Sequence, residues 1–400
     1  MNAGTRRGFI GSLGLAACLP TAAFAKELVT QPKPVSHALI LSGGGARGAY
    51  EAGIIAGIAR SGGISDGRRL APYGLVCGTS IGALNAWFVA TGQYTALERV
   101  WKTVAASNIF QLKSKYVTLN RPHRFIGERV RAAIRLATGL TKNETGIARS
   151  QPILDWMKQH VDPATPLLIP MIWAVTNLTT QSPEYFYRLP PALEGTMSSE
   201  LLRALRLSLG EDAVVRESTN DNLHRSLLAS TAVPVVFDPV RLEMANGSSG
   251  FYVDGGIASN ASVSVARVAA ATIDVVLNDP RSRNQHYANA IDVVIGSYET
   301  MQRMMLETEM RDIYLQSLGK RALKREAPVV TTDLEHGSSE LLTFLRDLPV
   351  SDIAYMRPKD VLPAGFATFD EQDKVDATFA IGKADSGHGF VPYGLKSFRL

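Results

Sequence analysis

The sequence has few of the residues that usually mark disulfide-rich, metal-binding or nucleic-acid-binding proteins. Only two cysteines occur among 400 residues, Cys18 and Cys77, which argues against a disulfide framework or a thiolate metal site. No combination of His, Asp and Glu has the spacing of a metal-ligand set. The formal net charge is only +5, too small to indicate nucleic-acid binding. The sequence therefore predicts no metal, no other cofactor and no nucleic-acid partner.

Long hydrophobic runs and low-complexity linkers are also missing after the N-terminal region. No later segment contains 18 consecutive apolar residues, so no membrane-spanning helix is predicted there. Hydrophobic residues make up 46% of the chain and charged residues 20%, a composition typical of a globular protein with a substantial core. Because nothing resembling a linker divides the chain, we predict one domain whose main part is residues 34–280. Residues 281–400 are predicted to be a C-terminal helical extension packed on that same domain.

The first 25 residues have the pattern of a targeting segment. Arg6 and Arg7 stand directly before the apolar run FIGSLGLAACL, and the later AFA provides small residues for cleavage after Ala25. The pattern resembles a bacterial twin-arginine leader, which predicts export to the periplasm or secretion. LAAC, ending at Cys18, also resembles a lipobox, which would instead leave the protein anchored through a lipid. Both outcomes stay open at this stage.

The rest of the chain alternates between apolar runs and amphipathic segments. Strands are predicted at 37–42, 73–78, 167–177, 251–255 and 272–278. Helices are predicted at 46–60, 81–91, 95–105, 124–137, 198–209 and 261–270. This alternation is typical of an α/β fold in which helices cover both faces of a mostly parallel sheet. After residue 280 the pattern predicts one long helix at 287–317, with an apolar stripe formed by Ile291, Val294, Ile295, Tyr298, Met301 and Met305.

A glycine-rich loop follows the first predicted strand. Gly43, Gly45 and Gly48 form G-x-G-x-x-G, the fingerprint of loops that bind dinucleotide phosphates. Dinucleotide binding also requires an acidic residue about 20 positions later, at the end of a second strand. Asp66 is near that distance, but it lies in a loop segment. We therefore exclude a dinucleotide and predict that the loop N–H groups bind an oxyanion instead.

The second predicted strand ends in a serine motif. Gly78-Thr79-Ser80-Ile81-Gly82 is G-x-S-x-G, placed between a strand and a helix. In this context the turn forces the serine into strained backbone angles and presents its hydroxyl above the sheet. The glycines at Gly78 and Gly82 allow the flanking backbones to pass closely. The N-terminus of the following helix favours negative charge near the serine. Ser80 is therefore the predicted nucleophile.

A candidate base lies at the end of another predicted strand. Asp254 is followed by Gly255 and Gly256, which permit close approach of neighbouring backbone. Its carboxylate could accept the Ser80 proton directly or orient a histidine that does so. None of the seven histidines lies in a recognisable motif. The residues alone leave a dyad and a triad open.

The ordered set GGGARG, GTSIG, ASTAVP at 229–234 and DGG resembles the patatin-like phospholipases, over roughly residues 37–278. The resemblance implies a three-layer α/β fold and a serine–aspartate dyad without histidine. It assigns Ser80 as nucleophile and Asp254 as base. It also implies an oxyanion loop that contains Gly43, Gly44, Gly45, Arg47 and Gly48. One position departs from the family pattern: Ser262 stands where a proline commonly follows the DGG motif, which leaves the start of the next helix undetermined.

The expected function is therefore hydrolysis of lipid carboxylic esters of the phospholipase A type, through an acyl-serine intermediate. The implied partner is a lipid or phospholipid at a membrane or micelle surface. Two alternatives remain open. The protein could be an esterase or acyltransferase that uses soluble acyl donors, or an inactive lipid-binding protein.

Overall fold

The structure is a computed structural model that describes residues 35–109, 111–113, 145–193, 214–259, 262–279, 290–326, 350–394 and 397. The predicted leader at 1–25 and the predicted helices at 124–137 and 198–209 lie outside these ranges. Within them, no helix combines the length and the apolar character needed to cross a bilayer.

Strands and helices alternate along most of the described chain, as the sequence pattern indicates. The strands are β1 Val35–Leu41, β2 Leu75–Thr79, β3 Gln111–Leu112, β4 Gly146–Arg149, β5 Met171–Asn177, β6 Ser182–Arg188, β7 Val214–Glu217, β8 Val235–Phe237, β9 Val240–Glu243, β10 Ser249–Asp254, β11 Ala270–Val276, β12 Asp352–Met356 and β13 Val391–Pro392. The helices are α1 Gly48–Ser61, α2 Ile81–Thr91, α3 Tyr94–Thr103, α4 Ala106–Ile109, α5 Gln151–His160, α6 Leu223–Ser230, α7 Val263–Ala269, α8 Ala290–Glu326 and α9 Gln372–Asp385.

The main sheet has the order β13-β12-β11-β1-β2-β5-β10-β9, with β6 and β7 added beside β5. Its centre is parallel, because β12, β11, β1, β2 and β5 all run in the same direction. Antiparallel pairs occur toward the margins, at β5–β6, β5–β10, β10–β9 and β12–β13. Short strands β3, β4 and β8 form a separate small sheet. The predicted mostly parallel α/β architecture is confirmed.

Both faces of the main sheet are buried, which explains why its central strands are almost wholly apolar. On β1, Leu39 and Leu41 belong to one hydrophobic cluster, while Ala38 and Ile40 belong to a second. Because successive side chains of a strand point to opposite faces, the two clusters lie on opposite sides of the sheet. Residues of α1, α2 and α3 contribute to the first cluster, and residues of α7 and α8 contribute to the second. The structure therefore has three layers.

The region after residue 280 differs from the sequence prediction in two respects. Within the described residues the long helix spans Ala290–Glu326 and so continues past the predicted end at 317, and the short strand Asp352–Met356 was not predicted. This strand extends the sheet in parallel beside β11. The strand has only five residues, and its apolar run of four is too short to distinguish a strand from other structure by periodicity.

The predicted apolar stripe of the long helix is only partly buried, since Ile295 and Met305 are half-buried. Tyr298 is buried as expected, but Val294 and Met301 are exposed. The buried face instead contains Tyr298, Glu299, Gln302, Leu306, Met310, Ile313 and Ser317. Because polar side chains occupy part of this face, apolar periodicity alone predicted a stripe that is rotated about the helix axis from the buried face of α8.

The sheet topology brings the functional loops to one edge. Since β1 and β2 are parallel neighbours, the glycine loop after β1 and Ser80 after β2 lie at the same edge. Strands β2 and β10 both pair with β5 on the side opposite β6, and they approach each other end to end. Thr79 pairs with Ala174, and the next residue of β5, Val175, pairs with Asp254. The two strand ends therefore deliver Ser80 and Asp254 to adjacent positions.

Candidate active site

Ser80 occupies a strained turn between β2 and α2. Its backbone angles are φ 56° and ψ −128°, a conformation that non-glycine residues rarely adopt. The helix begins at the next residue, so that its N-terminal dipole favours negative charge beside the serine. Neither Gly78 nor Gly82 has room for a Cβ atom: at Gly78 it would meet the backbone of Gly82, and at Gly82 the backbone of Leu41. The strand–turn–helix context predicted for the motif is therefore present.

The ASTAVP segment at 229–234 links the backbones of the two candidate catalytic residues. The Ser80 N–H donates to Ser230 Oγ at 3.0 Å, and that hydroxyl donates to the Ala174 carbonyl at 2.7 Å. Two residues later, the Ala232 carbonyl accepts from the Asp254 N–H at 2.9 Å. One short segment thus sets the relative position of the serine turn and the end of β10.

Asp254 is fully buried and lies in a mixed environment of donors and apolar groups. Its Oδ1 accepts from the Gly256 N–H at 2.8 Å, whereas Oδ2 has no well-aligned hydrogen bond with any described residue. Burial raises the pKa of Asp254 to about 6, and the nearby Ser80 hydroxyl, Gly256 N–H and Tyr298 hydroxyl oppose that rise. The two hydroxyls therefore face the carboxylate without forming ideal bonds, as is common in ligand-free active sites.

The glycine loop adopts a tight turn that leads into α1. Gly45 has φ +59°, and a Cβ there would collide with the Phe366 carbonyl. The N–H groups of Ala46 and Arg47 are already used, donating to the carbonyls of Phe366 and Gly44. Those of Gly44 and Gly45 donate to no described residue. Backbone donors thus stand free next to the end of β1.

Two further residues named in the oxyanion loop have structural contacts. The Arg47 side chain is buried and forms an ion pair with Glu299 of α8, with 2.6 Å between Nη2 and Oε1. Gly48 packs so closely against Ile81 and Trp101 that a Cβ would clash with both. Arg47 therefore ties the loop to α8, and Gly48 lets α1 approach α2.

A buried polar network that the sequence analysis did not predict supports the glycine loop. Glu51, in the first turn of α1, accepts from Asn85 Nδ2 and from Asn278 Nδ2, each at 2.9 Å. The same Asn85 amide reaches the Gly48 carbonyl at 3.0 Å, and the Asn278 amide reaches the Ser42 carbonyl at 3.1 Å. Burial raises the pKa of Glu51 to about 8, although these hydrogen bonds oppose the rise. The network fixes both ends of the loop.

A usable sequence signal existed for this network. Glu51 is the one acid in the apolar segment GAYEAGIIAGIA, and Asn278 directly follows the apolar run VVL, as Asp254 follows YV. Polar residues in such positions are buried only when they have partners.

The loop after Asp254 packs closely against its neighbours. Gly255 lies against the Ala174 carbonyl, and Gly256 lies against Gln302 and Tyr298 of α8, so neither position has room for a Cβ. Helix α7 begins at Val263, and Ser262 before it has φ 50°. A proline cannot adopt that angle, since its ring fixes φ near −65°. The serine that departs from the family pattern is therefore compatible with the observed turn.

No histidine within the described ranges contacts Ser80 or Asp254. His224 bonds the Val161 carbonyl at 2.7 Å, His160 stacks near Trp156, and His388 lies near Asp385. His37 is in β1, at the end remote from the glycine loop. The remaining histidines, His123, His286 and His336, lie outside the described residues. In the same part of the chain, no cluster of His, Cys, Asp or Glu side chains could hold a metal ion.

Comparison with known proteins identifies a family for the chain. A search of solved structures finds the structure titled "Crystal structure of VipD from Legionella pneumophila", with 13% sequence identity and a TM-score of 0.36. The match covers 89% of this chain and 66% of that one, so this chain spans slightly less than two thirds of its length. No curated protein matches the chain. The family model of the patatin-like phospholipases matches residues 39–267, which contain Ser80, Asp254 and the glycine loop. The chain belongs to the patatin-like phospholipase family, whose members are lipid acyl hydrolases.

Proposed function

We propose that this protein hydrolyses phospholipid carboxylic esters, with Ser80 as nucleophile and Asp254 as general base. One observation supports the proposal above all others. Strands β2 and β10 approach each other end to end, so that the strained Ser80 and the buried Asp254 are neighbours. Asp254 Oδ1 is bonded to Gly256, so Oδ2 is the oxygen available to receive the serine proton.

The proposed reaction has two halves. Ser80 Oγ attacks the ester carbonyl carbon while its proton passes to Asp254, and the tetrahedral intermediate then expels the lysolipid alcohol, which takes that proton. Asp254 next removes a proton from water, which attacks the acyl-Ser80 ester, and the second tetrahedral intermediate releases the fatty acid as that proton passes from Asp254 to Ser80 Oγ. A base with a pKa of about 6 is ionised at neutral pH and remains able to accept a proton.

The N–H groups of Gly44 and Gly45 are the proposed oxyanion donors, supplemented by the N-terminus of α2. They are the loop donors that have no partner among the described residues. Donors held rigidly at the position where charge develops are worth about 100- to 1000-fold in rate. In this proposal Gly43, Arg47 and Gly48 shape the loop, while Gly78, Gly82, Gly255 and Gly256 permit the close packing around it.

The proposal is tested with the full-length chain and a panel of phospholipids in mixed micelles, together with a soluble short-chain ester. Release of fatty acid from phospholipid that disappears in Ser80→Ala supports it. Activity on the soluble ester alone would indicate the esterase or acyltransferase alternative. Failure of a serine-reactive phosphonate to label Ser80 would indicate a lipid-binding protein without activity.

The leader and the domain limits are proposals that rest on the sequence. We infer that residues 1–25 direct export, and that 34–280 form the catalytic domain with 281–400 packed on it. Intact-mass measurement of the exported protein tests the first inference. A chain beginning at Lys26 supports cleavage after Ala25, and an acylated chain beginning at Cys18 refutes it in favour of a lipid anchor.

A further inference from the structure

Helix α8 lies outside the residues matched by the family model, yet it contacts the candidate active site at several points. Glu299 pairs with Arg47 of the glycine loop at 2.6 Å. About two turns beyond Gln302, Glu309 accepts from Ser259 Oγ and from the Val263 N–H, each at 3.3 Å, and so holds the chain that follows Asp254. The helix thus touches both the oxyanion loop and the segment after the base.

Tyr298 of α8 lies beside the carboxylate of Asp254. It is buried, and its hydroxyl lies against Gly256, where an added Cβ would be only 3.0 Å from the tyrosine oxygen. Its ring meets Phe366 edge to face, with 6.4 Å between ring centroids. The Phe366 carbonyl in turn accepts the Ala46 N–H of the glycine loop at 2.9 Å. Packing therefore fixes the ring next to Asp254.

The hydrogen-bond partners of Tyr298 determine where its proton points. Gln302, one turn further along α8, donates from Nε2 to the tyrosine oxygen at 2.8 Å. Because this donor uses an acceptor site of the phenol, the phenolic proton is left to interact with another group. The group beside it is the Asp254 carboxylate, and burial together with that carboxylate raises the pKa of Tyr298 well above its usual value. Tyr298 therefore stays protonated and remains a donor.

We propose that Tyr298 is a positioning residue that acts through Asp254, as part of a chain of donors running from Gln302 to Tyr298 to the carboxylate. This deepens the proposed function and rests on it. The phenol stabilises the ionised, proton-accepting form of Asp254 and restrains its rotation, which keeps Oδ2 directed for the Ser80 proton. The dyad of the family domain would then depend on a third side chain supplied by the C-terminal helix.

Tyr298→Phe tests this proposal, because it removes the hydroxyl and keeps the ring. Tyr314→Phe is the matched control, since Tyr314 lies on the same helix and packs edge to face on Tyr393. Loss of a donor to a charged group raises the pKa of Asp254, so the acid limb of kcat/KM for a soluble ester moves to higher pH. We expect kcat/KM at pH 6 to fall on the order of tenfold, with recovery to within about threefold at pH 8.5. The control should match the wild-type profile.

A loss of the same proportion at every pH, or an unmoved acid limb, would refute the proposal and leave Tyr298 a packing role. Titration of ¹³C-labelled aspartate by NMR gives a second readout that does not require turnover, with Asp254→Asn identifying the resonance. A higher Asp254 pKa in Tyr298→Phe supports the proposal even if no ester is hydrolysed, a result that would refute only the proposed function. An unchanged pKa in an active enzyme would refute only the role of Tyr298.

Discussion

Two buried carboxyl groups, those of Glu51 and Asp254, lie at the same edge of the sheet. Their hydrogen-bond surroundings differ, and the difference suits one to a catalytic role and the other to a structural role. Glu51 accepts hydrogen bonds at both oxygens from two asparagine amides. Asp254 has one oxygen bonded to Gly256 and the other without a well-aligned partner. Burial raises the pKa of both, to about 8 for Glu51 and about 6 for Asp254.

The two carboxyl groups differ in their ionisation at neutral pH and in whether an oxygen remains free to accept a proton. At neutral pH Asp254 is mostly ionised and has an oxygen available beside a serine, which are the requirements for a general base. Glu51 is mostly protonated, and the amides of Asn85 and Asn278 occupy its oxygens. A saturated carboxyl of this kind has no free acceptor for a substrate proton, but it connects α1 with the residues on both sides of the glycine loop. We therefore expect Asp254 to control rate and Glu51 to control the geometry and stability of the loop.

Neutral amide substitutions at the two positions give the largest expected contrast. Asp254→Asn removes the base and should lower kcat/KM for a soluble ester by at least about 1000-fold, as Ser80→Ala should. Glu51→Gln keeps the shape and the uncharged state, so kcat/KM should stay within about tenfold of the wild-type value. Steady-state assays at pH 7.5 on variants with wild-type circular dichroism measure both. Equal losses at the two positions would remove the distinction between them.

Features of this arrangement that depend on neighbouring residues could be predicted from the sequence. Features that depend on contacts between residues far apart in the sequence could not. Ser80, the glycine loop and Asp254 each stand in a local signature of strand, turn and glycine, from which the sequence predicts a site role for all three. Nothing in the sequence specified that β10 runs antiparallel to β5 and meets β2 end to end, because register across a sheet is set by tertiary packing.

Contacts between distant parts of the chain were missed for a similar reason. Arg47 and Glu299 are 252 positions apart, and the contact of Tyr298 with the Asp254 loop depends on how a helix outside the family domain packs. The ASTAVP motif was recognised, but its role became apparent only when Ser230 and Ala232 were seen to hold two separate backbones. Apolar periodicity predicted a stripe rotated from the buried face of α8 because that face includes Glu299 and Gln302.

The pH dependence of stability provides a second and smaller contrast. A carboxyl whose pKa is raised in the folded state binds more protons than in the unfolded state, so folding stability decreases as pH rises between the two values. For Glu51 that interval runs from 4.5 to about 8, and for Asp254 from 3.8 to about 6. Each pKa unit corresponds to about 1.4 kcal/mol, so the total for Glu51 is at most a few kcal/mol.

Urea unfolding at a series of pH values measures this contrast. The unfolding free energy of wild type minus that of Glu51→Gln should decrease as pH rises to about 8, whereas the same difference for Asp254→Asn should stop decreasing near pH 6. Taking differences from the same wild type cancels the contribution of Glu309, whose pKa is also raised, to about 7. Two curves that level off at the same pH would show that the carboxyls occupy equivalent environments.

The smallest expected effects come from the histidines, and they bear on whether Asp254 acts on the serine directly. In a serine–histidine–aspartate triad the carboxylate only orients an imidazole, and loss of that imidazole is as damaging as loss of the serine. The described histidines contact other groups, such as the Val161 carbonyl in the case of His224. Glutamine substitution of each of the seven histidines in turn, including His123, His286 and His336, should therefore leave kcat/KM within about threefold of wild type. A folded histidine variant as inactive as Ser80→Ala would place an imidazole between the two residues, and Asp254 would then have a supporting role closer to that of Glu51.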